Sequence, residues 1–204
     1  MPLTDQELLE LIAQGDQAAM EVLVYRYHAE IYRYLYRSTN REKLAEDLAQ
    51  ETFLRVVRYL GQGKYPAQFR PWVYRIATNL LRDTFKSAGY QRQVPASQEE
   101  VAQLSEEGPK GRAESNLIDI VLKQELRKQV VEAIQALPRE LRQVIIMRFY
   151  QELKIKDIAQ ALGMPEGTIK SRLHRAYLQL SETLGDYVDD SQAQGNRRFK
   201  TAKE

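Results

Sequence analysis

Along this 204-residue chain apolar positions recur at intervals of three and four, and nowhere do they alternate long enough to suit a strand. The pattern predicts an all-α protein. Thr4 with Glu7 forms a capping box, and Leu8, Leu9, Leu11 and Ile12 give a first short helix that ends near Gly15. A second starts at Asp16 and runs to about Arg37 with Ala19, Val22, Leu23, Ile31, Tyr34 and Leu35 as its core. Tyr25, Tyr27, Tyr32 and Tyr36 follow that stripe and are expected to pack around it rather than form a stacking platform. From about Arg41 to Leu60 a third helix places Ala45, Leu48, Ala49, Thr52, Phe53, Val56, Val57 and Leu60 inward. Gly61 to Gln68 reads as a loop, broken by two glycines and a proline. A fourth helix, with Pro71 in its first turn, reaches about Ser87 on a stripe of Phe69, Trp72, Val73, Ile76, Ala77 and Leu80.

The periodicity then lapses. Residues 89–115 are rich in Gln, Glu, Ser, Gly and Pro and offer only Val101 and Leu104 as anchors, so they read as a flexible acidic linker. Helical spacing resumes through Leu117, Val121, Leu126, Val130, Ile134 and Leu137 up to Pro138. It continues from Arg139 to about Tyr150 on Leu141, Val144, Ile145 and Phe149. Lys154 to Leu180 then has the form of a helix-turn-helix. Ile155, Ile158, Ala159 and Leu162 make one buried stripe, Gly163 stops it, and Pro165 suits the first turn of a second helix that Thr168 can cap or lead. On that second helix Ile169, Leu173, Ala176, Leu180 and Leu184 share one side. The expected organisation is two small helical domains, 1–88 and 116–185, joined by the linker 89–115, with a tail at 186–204 that lacks a periodic core and is expected to fray.

The polar positions carry the candidate chemistry. Opposite the core stripe of the third helix lie Asp47, Gln50, Glu51, Leu54 and Arg58, and a leucine among acids and amides there is either a docking contact or an isolated surface residue. Arg75, Asn79, Arg82 and Lys86 fall at i, i+4, i+7 and i+11 on one side of the fourth helix. Beside Trp72 and a loop carrying Lys64 and Tyr65, that stripe fits a track for single-stranded nucleic acid, with a solvated basic face as the plain alternative. Thr168, Lys170, Ser171, Arg172, His174 and Arg175 make the outer side of the last helix short, polar and basic, a composition that can neutralise phosphates and reach base edges.

Net charge is only +2, so affinity for nucleic acid has to come from such local clustering. The chain has no cysteine, which excludes disulfides, zinc knuckles and thiol chemistry, and its two histidines, His28 and His174, give histidine-based catalysis little to work with. His28 reads as a helix-surface or packing residue. Gly63-Lys64 is followed by tyrosine, so no phosphate-binding glycine loop is present. An enzyme is therefore not expected, and neither a metal nor a cofactor. No apolar run approaches the roughly 18 residues of a membrane span, and the start MPLTDQELLE has no signal-peptide character, so the expected location is the cytoplasm.

Four stretches in order, AEDLAQETF (45–53), FRPWVYRIATNLLRD (69–83), LPRELRQVIIMRFYQEL (137–153) and DIAQALGMPEGTIKSRLHRA (157–176), resemble a group 4, extracytoplasmic-function (ECF) sigma factor of bacterial RNA polymerase, a branch of the sigma-70 family. The resemblance spans about residues 5–184. It implies a region 2-like four-helix domain and a region 4-like helix-turn-helix domain. It further implies that Asp47, Gln50, Glu51 and Leu54 bind core polymerase, through its beta-prime and beta subunits. Lys64, Tyr65, Trp72, Arg75, Asn79, Arg82 and Lys86 would engage the melted minus-ten element of promoter DNA. Thr168, Lys170, Ser171, Arg172, His174 and Arg175 would read the minus-thirty-five element. It also implies an anti-sigma factor as a partner and a free chain that is monomeric. Two departures stand out. The loop reads GKYPAQ where the family often has an aromatic followed by arginine and glycine, leaving Tyr65 as the stacking group, and His174 stands where a larger apolar or aromatic residue occurs. The competing reading is a dimeric helix-turn-helix regulator, which accounts for the last helices but not for the polar stripes of the third and fourth.

Overall fold

The structure is a computed structural model that describes residues 3–86 and 117–200, with side chains for 3–86 and 125–185. The linker expected at 89–115, with Val101 and Leu104, lies outside the described residues, as do the side chains of Leu117 and Val121. All regular structure among the described residues is helical, as the periodicity requires. The elements are α1 (Asp5–Ala13), α2 (Gln17–Thr39), α3 (Glu42–Gly61), α4 (Phe69–Lys86), α5 (Leu117–Ala136), α6 (Arg139–Ile145), a π-helical turn (Ile146–Tyr150), α7 (Ile155–Leu162) and α8 (Glu166–Lys200). α8 runs on past Gly185, where fraying was expected; that glycine has no positive φ and so imposes no stop. The chain groups into two compact units, Met1–Ala96 with Gln143–Ser171, and Ser97–Arg142 with Arg172–Glu204.

In the first unit α1 is closed by its capping box, Thr4 with Glu7, and α2 by the Asp16 side chain at its start and a left-handed Asn40 at its end. α1 is tied down by Asp5, which pairs with Arg26 at 2.7 Å and accepts a hydrogen bond from Tyr27 Oη. Leu8, Leu23, Ile31, Tyr34, Leu35, Ala45, Val56, Leu60, Val73 and Ala77 are fully or almost fully enclosed where α1 to α4 meet. α4 has two buried faces. Phe69, Val73, Ala77 and Leu80 follow the expected stripe, whereas Pro71, Tyr74, Thr78 and Leu81 form a second one at the same helical spacing. α7 packs on α4, and the π turn contacts α2.

Tyr74 and Thr78 bring polar groups into that second face, and their hydrogen bonds are met across the unit. Arg70 Nη2 donates to Glu30 Oε1 at 2.6 Å and to the backbone oxygen of Gln151 at 2.7 Å. Tyr74 Oη stands 2.9 Å from Glu30 Oε1 and 3.0 Å from Gln151 Oε1. One hydroxyl hydrogen cannot serve both acceptors. A half-turn of the buried Gln151 amide lets Tyr74 donate to the carboxylate while it accepts from Nε2, which otherwise has no partner among the described residues. A second cluster joins Tyr34 Oη and Thr78 Oγ1 at 2.9 Å, with Gln143 Nε2 donating to Tyr34 at 2.9 Å. The Arg37 guanidinium lies 4.6 Å from the Tyr150 ring centroid.

In the second unit Ala133, Ile134, Leu137, Leu141, Leu173 and Ala176 are buried. Arg142 donates to the backbone oxygens of Gln135 and Leu137 and so covers the carbonyl end of α5.

Five residues expected in cores are exposed instead: Val22, Tyr25, Val57, Leu126 and Phe149. The buried row of α2 steps by four through Ala19, Leu23, Tyr27 and Ile31, which turns Val22 and Tyr25 outward, Tyr25 to 87% exposure. Val57 lies beside Leu54 on the outer side of α3. Leu126 precedes the buried part of α5 by two turns. Phe149 falls in the π turn, whose wider spacing puts Ile146 and Met147 inside and breaks the period that had placed Phe149 there.

Candidate partner and nucleic-acid interfaces

On α3 the residues Asp47, Gln50 and Leu54 are exposed at i, i+3 and i+7. Glu51, half-buried, is drawn sideways into an ion pair with Arg55, Nε to Oε1 2.8 Å. Gln50, Leu54 and Val57 line one wall of an open groove. α2 supplies the other wall with His28, Ala29 and Tyr32, and Phe53 forms the floor. The His28 ring stacks on Phe53 at 5.5 Å and 30°. Of the four candidate residues the groove holds Gln50 and Leu54. His28, Tyr32 and Val57 share it without having been singled out. The signal available for His28 and Tyr32 was their i, i+4 spacing on the side of α2 that its buried row leaves free.

On α4 Arg75, Arg82 and Lys86 are exposed and Asn79 is half-buried, all along one side as the spacing required. Arg82 Nη2 donates to Asn79 Oδ1 at 2.9 Å, while its contact with Asp83 is long at 3.9 Å and, being at the surface, of little weight. At the start of α4 an aromatic row builds up from the core: Tyr27 on Phe69 (5.1 Å), Phe69 on Trp72 (5.8 Å) and Trp72 on Tyr59 (4.8 Å). Lys64 reaches over the Tyr59 ring at 5.9 Å and bonds Gln62 Oε1 at 3.0 Å. The loop turns at Gly63, whose φ of +72° only glycine adopts cheaply. Tyr65 is exposed on that loop. Trp72 is half-buried, and the row ends on Tyr59, which the spacing pattern had not marked as functional. The arrangement offers a row of aromatic rings, the Lys64 cation and a basic stripe in succession, which is the chemistry that holds stacked bases and a phosphate backbone.

In the helix-turn-helix, Gly163 takes a left-handed conformation (φ 65°, ψ 39°) and caps α7, and Pro165 accepts the first amide bonds of α8 from Thr168 and Ile169. Ile169, Leu173 and Ala176 face inward, leaving Lys170, Ser171, His174 and Arg175 exposed and Thr168 half-buried. Arg172 is placed differently. Its Nη2 donates to Glu140 Oε2 at 2.7 Å and its side chain is only 12% exposed, so it binds α8 to α6. Among the described residues no group of His, Cys, Asp or Glu could hold a metal ion, and no helix is long and apolar enough to cross a membrane.

With this geometry in place, comparison with known proteins bears on what the surfaces are for. Residues 23–90 match the family model described as sigma-70 region 2, and residues 127–180 match the one described as sigma-70, region 4. The RNA polymerase sigma-H factor of Pseudomonas aeruginosa is 31% identical over 186 residues, covering 88% of this chain and 93% of that protein. The ECF RNA polymerase sigma-E factor of Escherichia coli (strain K12) is 34% identical over 176 residues, covering 85% and 91%. The fold is similar to that of the sigma factor RpoE solved in complex with the anti-sigma factor NepR from Bartonella quintana. There the TM-score is 0.57 and the identity 20%, over 81% of this chain and 96% of that one.

Proposed function

We propose a function from one premise: the chain belongs to the ECF sigma factors of the sigma-70 family. It is a sigma factor that binds core RNA polymerase and directs promoter-specific initiation of transcription, under the control of an anti-sigma factor, and it carries no catalytic chemistry of its own. Its place of action is the cytoplasm. The observation that carries the reading is that the region 2 and region 4 matches, 23–90 and 127–180, each contain a helix with an exposed stripe that includes basic residues, α4 and the start of α8.

The division of labour follows from the surfaces. Asp47, Gln50, Glu51 and Leu54 are the polymerase contacts, with the adjoining groove of His28, Tyr32 and Val57 extending them. Lys64, Tyr65, Trp72, Arg75, Asn79, Arg82 and Lys86 hold the opened minus-ten strand. Unstacking a base costs a few kcal/mol, which stacking on Tyr65 or Trp72 and phosphate contacts along α4 can offset. Thr168, Lys170, Ser171, His174 and Arg175 face the minus-thirty-five duplex, and Arg172 supports them from behind through Glu140. Neither DNA module is large, so each gains from the raised effective concentration that a shared polymerase gives the other.

The test is run-off transcription from a genomic promoter pool with purified bacterial core polymerase. New specific transcripts are expected with the full chain, and the Asp47→Arg/Glu51→Arg double substitution should abolish them while the helical melting curve is retained. No transcript from the unaltered chain, together with protection of a palindromic duplex by a dimer, would replace this reading with a dimeric regulator.

A further inference from the structure

The last turn of α3 and the loop after it bring a ring and a cation together beside the aromatic row. Gln62 N donates to the backbone oxygen of Tyr59 at 3.2 Å and Gly63 N to that of Leu60 at 2.9 Å, so the chain folds back over the end of the helix. With Gly63 at positive φ, the turn carries Lys64 over the Tyr59 ring, where Gln62 Oε1 accepts a hydrogen bond from its ammonium. Leu60 is buried and anchors the turn. Tyr59 itself is half-buried. Its ring rests against Trp72, 4.8 Å between centroids at 44°, and Trp72 rests against Phe69, which is buried in the core.

The ring is thus held by packing on one flank and met on another by a side chain that can leave. Lys64 and Gln62 are both exposed, and a hydrogen bond between two exposed side chains adds little. A planar group stacks about 3.5 Å above an aromatic ring. At 5.9 Å from the ring centroid the ammonium stands clear of that layer. A base can enter at the ring while Lys64 moves onto the phosphate that accompanies it. A Cβ added at Gly63 would meet nothing within 4 Å, so the approach past the turn is open. Tyr65 and Trp72 reach the surface nearby, but neither offers the same platform. Tyr65 lies within the loop, and ordering it for binding costs conformational freedom that a ring packed on α3 has already lost on folding. Trp72 is partly covered by Tyr59 and Phe69.

We propose that Tyr59, backed by Trp72, is the ring on which one unstacked base of the opened minus-ten strand stacks, and that Lys64 closes on that nucleotide from the loop. The ligand is a single base in an unpaired strand, taken by its face, so the site tolerates any of the four bases. The inference rests on the promoter reading above, and it gives the strand a fixed point at the start of α4.

The test is a cycle between protein and DNA in the complete complex of the full chain, core polymerase and a promoter recovered from the run-off pool. An abasic residue is placed singly along each strand of the minus-ten element, and open-complex formation is measured for the unaltered chain, Tyr59→Leu and Tyr59→Phe. On intact DNA Tyr59→Leu should lower it about tenfold, within the range for one base stacked on a ring. Tyr59→Phe should stay within about twofold of the unaltered chain, because the ring is what stacks. At one position the abasic residue should cost the unaltered chain about tenfold and Tyr59→Leu nothing further. Lys64→Met should reduce the salt dependence by about one counterion, and an unchanged slope overturns the role given to Lys64. A ring that only props the fold would lower every template alike, abasic or not, and that result overturns the proposal. Coupling that appears with Tyr65→Leu in place of Tyr59→Leu overturns it too. If the unaltered chain opens no promoter, the promoter reading has failed; if it opens one and no abasic position couples to Tyr59, only this inference has.

Discussion

Four tyrosine side chains, Tyr27, Tyr34, Tyr74 and Tyr150, are pushed to ionise above the ordinary phenol value. In each case burial is the main cause, and Tyr27 and Tyr74 also lie against the carboxylates of Asp5 and Glu30. A phenol whose pKa is raised on folding favours the folded state below its unfolded pKa of about 10 and gives that stability up as pH rises beyond it. A spectrophotometric titration should therefore show these four buried phenols ionising only together with loss of helix, above the ordinary phenol range. Arg172 invites a second residue-level comparison. Lys170→Ala should leave thermal stability unchanged and lower the salt dependence of minus-thirty-five duplex binding by about one counterion. Arg172→Ala should instead lower the melting temperature, because it removes the bond to Glu140 and the packing of a mostly buried side chain. Sequence alone placed both arginine and lysine on the reading face, since spacing gives the angle around a helix and not what stands opposite. Glu140, more than thirty residues earlier, is what draws Arg172 inward.

At the level of elements, helix starts and stops were legible because they rest on local chemistry. Thr4 with Glu7, Asp16 and Gly163 act within one turn of chain, and each is found at the boundary it announced. Gly163→Ala tests the last of these. No atom lies within 4 Å of an added Cβ, so the effect isolates the left-handed backbone, and a loss of roughly 1–2 kcal/mol in chemical denaturation is expected. The π turn at Ile146–Tyr150 was not legible, because IIMRFY satisfies a 3.6-residue period as well as a wider one. Only the neighbours that enclose Ile146 and Met147 select the second. The second face of α4 was missed for a related reason. Tyr74 and Thr78 look like ordinary amphipathic positions until Glu30 and Gln143 complete their hydrogen bonds.

For the whole molecule, opposite demands meet on α2, α3 and α4. One side of these helices makes the core, a second is left open as the groove of Gln50, Leu54 and His28, and a third carries the stripe from Arg75 to Lys86. Helical class, the order of the two regions, the helix caps and the faces that carry charge were fixed by local sequence, because periodicity and capping act over a few residues and are little altered by what packs against them. The exposure of Val22, Val57 and Phe149, the capture of Arg172 by Glu140, and the closure of Gln143 and Gln151 onto α4 were settled only in three dimensions. Each depends on a partner brought from another helix, and spacing along a chain has no term for distance through space.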